Sequence, residues 1–275
     1  RWYAGKSKEL QTMESEIALT ISQPECHDWL LSVFSCQFKD GTVQRYFMPI
    51  SLAWERDDSL DYSTEWILAK TRQQNETGYL IDSMISDQFC RAILMFMQQN
   101  RQIILGEKTL SFNNSPLLSE DESLKDLEVK RPLVDQSNTS IFFGEKYIFK
   151  IYRQIQPGVN PELQMGKYLT GKFANIAKVA GSIELADKDG STYTLGILQE
   201  YVDNQGDCWN FTLSYLERFA ENFIENWQKF SQSEEKELHG MYLSKMKTLG
   251  NRIGQMHSVL ACSNDDKSFA PLKIT

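Results

Sequence analysis

The sequence predicts an α+β fold, and two patterns along the chain indicate it. Through the first two hundred positions, short runs rich in β-branched and aromatic residues are separated by turn residues. After that, apolar residues recur every three or four positions, which is the spacing of amphipathic helices. With 41% hydrophobic and 24% charged residues in a chain of 275, the composition is that of a globular protein and excludes a disordered or fibrous one.

The charge balance excludes further classes of protein. Lys and Arg number 29 against 37 Asp and Glu, which gives a net charge of −8. Such a chain has no overall positive field for a phosphate backbone or an anionic bilayer, so we expect no nucleic-acid and no membrane partner. The 5 cysteines are scattered without a Cys-x-x-Cys pair, and the 3 histidines lie far apart. We therefore expect a cytoplasmic protein without a zinc site.

The first hundred residues predict a hairpin and a helix. Residues 29–38 and 43–48 are rich in β-formers and flank a turn at residues 39–42. From Asp82 onward, apolar residues recur with helical spacing as far as Phe96. Asp82 is the expected N-cap of that helix.

The middle of the chain predicts a five- or six-stranded sheet with one inserted helix. The predicted strands are residues 103–105, 109–112, 140–143, 147–152, 183–185 and 193–202. The predicted helix spans residues 161–174, with Pro161 in its first turn. Between residues 113 and 130, Asn, Ser, Pro and acidic residues predominate, which predicts an exposed, mobile loop.

The last third of the chain predicts paired helices with apolar stripes. We expect these stripes to be buried as core. The stripe residues are Leu213, Leu216, Phe219, Phe223, Trp227 and Phe230 in one helix, and Leu243, Met246, Leu249, Ile253, Met256 and Leu260 in the other.

A polar turn followed by a strand lysine is the first feature that suggests chemistry. Residues 135–140 contain no hydrophobic side chain, and their backbone amides and hydroxyls suit an anion as well as they suit an ordinary polar turn. In residues 147–152, alternation places Ile148, Lys150 and Tyr152 on one face of the strand. A lysine there is either solvated or, as in the N-lobe of a kinase, directed at nucleotide phosphates.

At this point the chain resembles the bacterial maltokinase family, aminoglycoside-phosphotransferase-like kinases that make maltose 1-phosphate from maltose and ATP and are often fused to trehalose synthase. The resemblance extends over nearly the whole sequence. Its blocks are RWYAGK at 1–6, QSNTS at 136–140, FKIYR at 149–153, PGVNP at 157–161, LQEYV at 198–202, NQGDCW at 204–209, LGNR at 249–252 and FAP at 269–271.

The resemblance implies a eukaryotic-protein-kinase-like N-lobe preceded by an α+β cap subdomain and followed by the first helices of a mostly helical C-lobe. The cap would span residues 1–100, the ATP-binding intermediate subdomain residues 101–203, and the beginning of the C-lobe residues 204–275. Because a family member continues well past this point, we expect an N-terminal fragment of a longer enzyme.

The resemblance also implies a site for ATP. The polar turn at residues 137–140 would take the place of the glycine-rich loop over the phosphates, and Lys150 would hold the α- and β-phosphates. Glu200 and Tyr201 would offer backbone groups to adenine. These implied ATP-binding residues are Ser137, Asn138, Thr139, Ser140, Lys150, Gln164, Glu200 and Tyr201.

Of three further residues, two have a structural alternative. Asp207 and Trp209 would lie near the junction of the lobes, although for Trp209 a core anchor is the favoured interpretation. His257 lies on the apolar stripe of its helix, where we expect a partly buried structural histidine rather than a catalytic one.

One departure from the family concerns the partner of the lysine. The family has a glutamate on the helix that pairs with it, and Gln164 occupies that place here. A neutral amide hydrogen-bonds an ammonium group without supplying charge, which weakens the clamp. Glu162, two residues earlier, points about 200° away around the helix, so we expect it not to substitute.

The second departure concerns catalysis. The family supplies its catalytic base from a His-Gly-Asp loop and its Mg²⁺ ligands from a later Asp-Phe-Glu-type segment, and this sequence contains neither a His-Gly-Asp triplet nor an Asp-Phe pair. We expect no catalytic residue and no metal ligand in this chain. Two functions therefore stay open: the nucleotide-binding part of a maltokinase, or an inert regulatory module that docks onto a trehalose synthase. A kinase that acts on another sugar or amino sugar is a third possibility.

Overall fold

The computed structural model describes residues 3–22, 28–55, 64–132, 138–226, 232–262 and 267–270. In these ranges the chain is a mixture of helices and antiparallel strands, which confirms the predicted α+β class. It forms two compact units. The first takes in the chain up to Lys167 together with Ala177–Tyr201, and the second takes in Tyr168–Ile176 and the chain from Val202 onward. The subdomain bounds expected from the sequence stay predictions.

The elements are numbered in chain order. The strands are β1 (Leu10–Ile21), β2 (Trp29–Phe38), β3 (Val43–Trp54), β4 (Ile67–Gln73), β5 (Glu76–Asp82), β6 (Gln102–Leu105), β7 (Lys108–Asn114), β8 (Val129–Lys130), β9 (Thr139–Phe143), β10 (Tyr147–Ile151), β11 (Gln154–Ile155), β12 (Val179–Ala186) and β13 (Thr192–Glu200). The α-helices are α1 (Asp87–Gln98), α2 (Pro116–Ser119), α3 (Pro161–Leu169), α4 (Cys208–Asn226) and α5 (Gln232–Ala261). Short 3₁₀ helices lie at Ala4–Ser7, Thr64–Trp66, Ser83–Ile85, Glu122–Asp126 and Lys267–Phe269.

The first unit contains two antiparallel sheets. The first sheet has the order β1-β2-β3-β5-β4, with β11 added to β3. The second has the order β6-β7-β12-β13-β10-β9-β8, so it is wider than the five or six strands expected. One apolar core contains residues of both sheets and of α1, among them the fully buried Phe112, Phe143 and Phe149.

The hairpins predicted from turn chemistry are confirmed. Between β2 and β3, the Asp40 carboxylate accepts a hydrogen bond from the backbone N–H of Thr42 at 2.9 Å, and Gly41 has a φ of 81°. That backbone conformation favours glycine because it lacks a Cβ atom. The β6–β7, β9–β10 and β12–β13 hairpins form in the same way, each with a glycine of positive φ in its connection.

The first helix does not begin where the sequence predicted. Its N-cap is Ser86, whose hydroxyl accepts a hydrogen bond from the N–H of Phe89 at 3.2 Å. Asp82 instead caps the preceding 3₁₀ turn through the N–H of Met84 at 3.1 Å. The apolar spacing could not show whether Asp82 or Ser86 caps α1, because the 3₁₀ turn and α1 both direct apolar side chains at the core.

Residues 113–130 are not the exposed loop that was expected. They continue β7, form α2 and a 3₁₀ turn, and add β8 to the edge of the second sheet. Leu118 and Leu124 are buried, and the carboxylate of Asp121 is paired with Lys146 at 2.7 Å. The sequence did not reveal this pairing because Lys146 lies twenty-five residues after Asp121 in the chain.

Helix α3 is shorter than its prediction, which extended to residue 174. It ends at Leu169, and Gly171, with a φ of 82°, follows it. A glycine in the left-handed region just past a helix is a common stop signal.

The two long helices of the second unit form as predicted, but their apolar stripes are not core among the described residues. Leu216, Phe223 and Leu243 are each about half exposed, at 49%, 47% and 58%. Phe211, Tyr215 and Tyr242 stack instead between the two helices, with the rings of the latter two 4.1 Å apart. Trp227 and Phe230 lie outside the described residues.

Candidate functional site

The candidate site is built around an ion pair between a strand and a helix. Lys150 lies on β10, and its ammonium nitrogen is 2.5 Å from Oε1 of Glu162 in the first turn of α3. Each of the two side chains is about one-third exposed, at 36% and 37%. The pair is therefore accessible to a solute.

Glu162, and not Gln164, is the residue of α3 that pairs with Lys150. The expectation that Glu162 does not substitute for the family's glutamate is therefore wrong. The angle of about 200° between Glu162 and Gln164 around the helix was correct. It did not reveal which of the two flanks of α3 faces the strand that carries Lys150. Leu163 is fully buried and seats the helix, so its two neighbours flank the contact on opposite sides. Gln164 is half-buried, and its role toward ATP stays a prediction.

Local sequence fixes where α3 begins. The Asn160 side chain accepts a hydrogen bond from the N–H of Glu162 at 2.8 Å, and Pro161 follows it as the first helical residue. The Asn160 N–H in turn donates to the hydroxyl of the buried Thr194 on β13 at 3.1 Å. The helix start is thereby attached to the sheet that carries Lys150.

A third side chain completes the polar cluster. The hydroxyl of Tyr152 donates to Oε2 of Glu162 at 2.7 Å, so that each carboxylate oxygen has its own donor. Burial raises the pKa of Glu162, but the hydrogen bonds from Lys150 and Tyr152 outweigh it and hold that pKa below its usual value. Burial and the contact with Glu162 raise the pKa of Tyr152, which keeps its proton.

Strand register separates the polar turn into two parts. Ser140 lies directly opposite Lys150 in the β9–β10 pair, and opposed residues in an antiparallel pair point to the same face. Thr139 lies opposite Ile151 and therefore points to the other face, where its hydroxyl accepts a hydrogen bond from Arg153 at 2.9 Å. The structure thus brings Ser140, and not the Thr139 side chain, to the lysine.

The other two residues of the expected phosphate turn are less informative. Asn138 is half-buried and immediately precedes β9. Ser137 lies outside the described residues.

The sequence reasoning missed an apolar surface beside the lysine. Phe142 and Ile148 oppose each other in the β9–β10 pair, one pleat away from Ser140 and Lys150 and on the same face. Both are half-buried, and the ring of Tyr201 contacts that of Phe142 edge-on with 6.0 Å between centroids. The alternation of the strand residues carried this signal, since it places Ile148 and Lys150 together.

The backbone donors expected to serve adenine are already engaged. The N–H of Glu200 donates to the carbonyl of Lys178 at 2.9 Å, and the N–H of Tyr201 donates to the carbonyl of Lys146 at 2.7 Å. The Glu200 carboxylate lies 3.7 Å from the ammonium group of Lys178. Neither N–H group is available to a base in this conformation.

In the second unit, Asp207 is a helix cap and Trp209 is a surface residue. Asp207 accepts a hydrogen bond from the N–H of Asn210 at 2.7 Å at the beginning of α4. Trp209 is 71% exposed, so the core anchor expected for it is wrong in the described chain. His257 is exposed as well, in place of the partly buried position expected.

Among the described residues, no group of three or more His, Cys, Asp or Glu side chains is placed to hold a metal ion. No helix in the described ranges is both long and apolar enough to cross a bilayer. A comparison with models of known protein families finds none that matches this chain.

Proposed function

We propose that this chain carries the nucleotide-binding lobe of an ATP-dependent sugar kinase of the maltokinase type. The ion pair between Lys150 and Glu162 is the observation that supports this proposal best. In protein kinases, a lysine of the third strand pairs with a glutamate of the following helix and holds the α- and β-phosphates of ATP. Here Lys150 lies on β10 and Glu162 on α3, the next α-helix along the chain.

The surroundings of the pair agree with this role. A phosphate group beside Lys150 would meet the hydroxyl of Ser140 on the same face, while the half-buried Phe142 and Ile148 offer apolar area for a purine one pleat away. Glu162 holds the ammonium group of Lys150 in place through the ion pair, and this pre-organisation lowers the entropy cost that binding must overcome. Under this proposal the second sheet is the kinase-like N-lobe and the first sheet belongs to the cap.

The acceptor and the metal rest on the resemblance. In the proposed reaction, the anomeric hydroxyl of maltose attacks the γ-phosphorus of ATP, the bond to the β–γ bridging oxygen breaks, and maltose 1-phosphate and ADP leave. Mg²⁺ would accompany the nucleotide. Since the sequence holds no His-Gly-Asp triplet, we assign the base and the metal ligands to no residue here and expect this chain alone to be inactive. A trehalose synthase domain or subunit is the proposed partner, in the cytoplasm.

The nucleotide site is tested by thermal unfolding with and without MgATP. At a hundredfold excess over the dissociation constant, binding adds about 2.7 kcal/mol to the free energy of unfolding. Lys150→Met should abolish this increment. Lys70→Met is the matched control, because Lys70 is also a strand lysine with a glutamate partner, Glu55 at 3.6 Å, but lies in the first sheet. An equal increment in wild type and Lys150→Met contradicts the proposal.

The absent triplet favours the alternative, an inert module that docks onto a trehalose synthase. The other argument for it was the neutral Gln164, and Glu162 removes that argument by supplying the charge. The coding region beyond Thr275 separates the two functions. A reading frame that continues into a His-Gly-Asp segment supports the enzyme, and a stop codon supports the module.

A further inference from the structure

A buried arginine connects the two sheets behind the candidate site. Arg153 follows β10 directly and is only 1% exposed. Its guanidinium group forms an ion pair with the buried carboxylate of Asp82 and donates through Nε to the hydroxyl of Thr139 at 2.9 Å. Its own carbonyl accepts a hydrogen bond from the N–H of Phe47 on β3 at 2.8 Å.

The two side-chain partners belong to different parts of the first unit. Asp82 ends β5 of the first sheet, where its second oxygen also caps the 3₁₀ turn through Met84. Thr139 is the first residue of β9 in the second sheet, and the next residue, Ser140, lies opposite Lys150. The arginine therefore fixes the backbone at the point where the chain enters the strand beside the lysine.

We propose that Arg153 and Asp82 are positioning residues for nucleotide phosphates, acting through Thr139 and without touching the nucleotide. This inference rests on the proposed function. The contact from Arg153 restrains the Thr139 side chain at the start of β9, and ordered backbone amides are what anion-binding turns use. The first sheet, held by the same arginine, is thereby coupled to the phosphate part of the site.

The energetics of burial support a positioning role. Removing an arginine and an aspartate from water is expensive, and apolar residues of similar volume often give equal or greater stability. The guanidinium fork, by contrast, presents several donors in a fixed plane and so fixes the relative placement of two acceptors. Arg153 uses this geometry to hold Asp82 and Thr139 at once.

The test compares the affinity of the full chain for MgATP with its affinity for adenosine, which has no phosphates. Thr139→Val keeps the shape of the side chain and removes the acceptor, and it should weaken MgATP binding about tenfold. Adenosine binding should stay within about twofold, because adenosine has no phosphates for the turn to position. Thr139→Ser should restore MgATP binding, because it restores the hydroxyl that Arg153 contacts. Thr109→Val, on β7, is the matched control and should change neither affinity.

A second variant tests the arginine without leaving a buried charge. Arg153→Met combined with Asp82→Leu removes both charges, and adding Thr139→Val to it should cause no further loss of MgATP affinity, because the contact is already gone. Unchanged MgATP binding in Thr139→Val, or an equal loss for MgATP and adenosine, overturns the inference. If Lys150→Met binds MgATP like wild type, the proposed function itself fails, and this result is distinct from the other two.

Discussion

The side chains of Lys150 and Glu162 meet at 2.5 Å although one comes from a strand and the other from the helix that follows it twelve residues later. The contact depends on the seating of α3, because the fully buried Leu163 determines which flank of the helix faces the strand. A change of either partner therefore tests the helix placement as well as the charge.

Glu162→Gln should weaken MgATP binding about tenfold, since it removes the charge that aims the lysine and leaves the shape unchanged. Gln164→Ala, on the same helix, should change the dissociation constant by less than about twofold, because Glu162 already supplies the charged partner of Lys150. Isothermal titration of both variants is the measurement. A larger loss of affinity for Gln164→Ala than for Glu162→Gln would show that Gln164 is the partner of Lys150, as the resemblance indicated.

Tyr152→Phe should raise the pKa of Glu162. The tyrosine hydroxyl donates to the charged carboxylate at 2.7 Å, and a hydrogen bond to the charged form lowers a pKa. NMR titration of the glutamate side chains measures this shift. The variant should also lower the free energy of unfolding by about 1 kcal/mol. Tyr79→Phe breaks a similar but exposed bond to Glu55 and should cost less, so equal costs would contradict the role of burial.

The sequence predicted best what is decided locally. The hairpin turns follow from residues such as Asp40 and Gly41, whose hydrogen bond and backbone conformation involve only their neighbours. The face of Lys150 followed from alternation within one strand. The partners across elements could not be predicted, because Glu162 is selected by the packing of Leu163 and Asp121 by residues more than twenty positions later.

The segment of residues 113–130 should become accessible in acid. Lys146 and Tyr147 both contact Asp121 at 2.7 Å, and these hydrogen bonds outweigh its burial and hold its pKa well below the usual range. The unfolded carboxyl group therefore binds a proton at a higher pH than the folded one. The stabilisation is complete above about pH 5 and declines as the pH falls further.

Hydrogen exchange and limited proteolysis of this segment at neutral pH and near pH 3 measure the effect. Asp121→Asn should lower the free energy of unfolding at neutral pH by about 2 kcal/mol and flatten the acid dependence. Asp126→Asn, at the end of the same 3₁₀ helix, provides the comparison in the same segment. Rapid cleavage of the wild-type segment at neutral pH would show that the observed docking is wrong.

Two glycine-to-alanine changes in helices should have opposite signs. A Cβ atom at Gly166 in α3 would lie 2.6 Å from Cγ2 of Val179, a buried β-branched side chain with little freedom to move. We expect Gly166→Ala to destabilise the protein by about 1 to 3 kcal/mol and to weaken MgATP binding, since it displaces the helix that carries Glu162. At Gly250 in α5 a Cβ atom meets nothing within 4 Å, so Gly250→Ala should stabilise the protein by up to about 1 kcal/mol through helix propensity. Chemical denaturation of both variants gives the two values, and a stabilising Gly166→Ala would show that α3 lies farther from β12 than the structure has it.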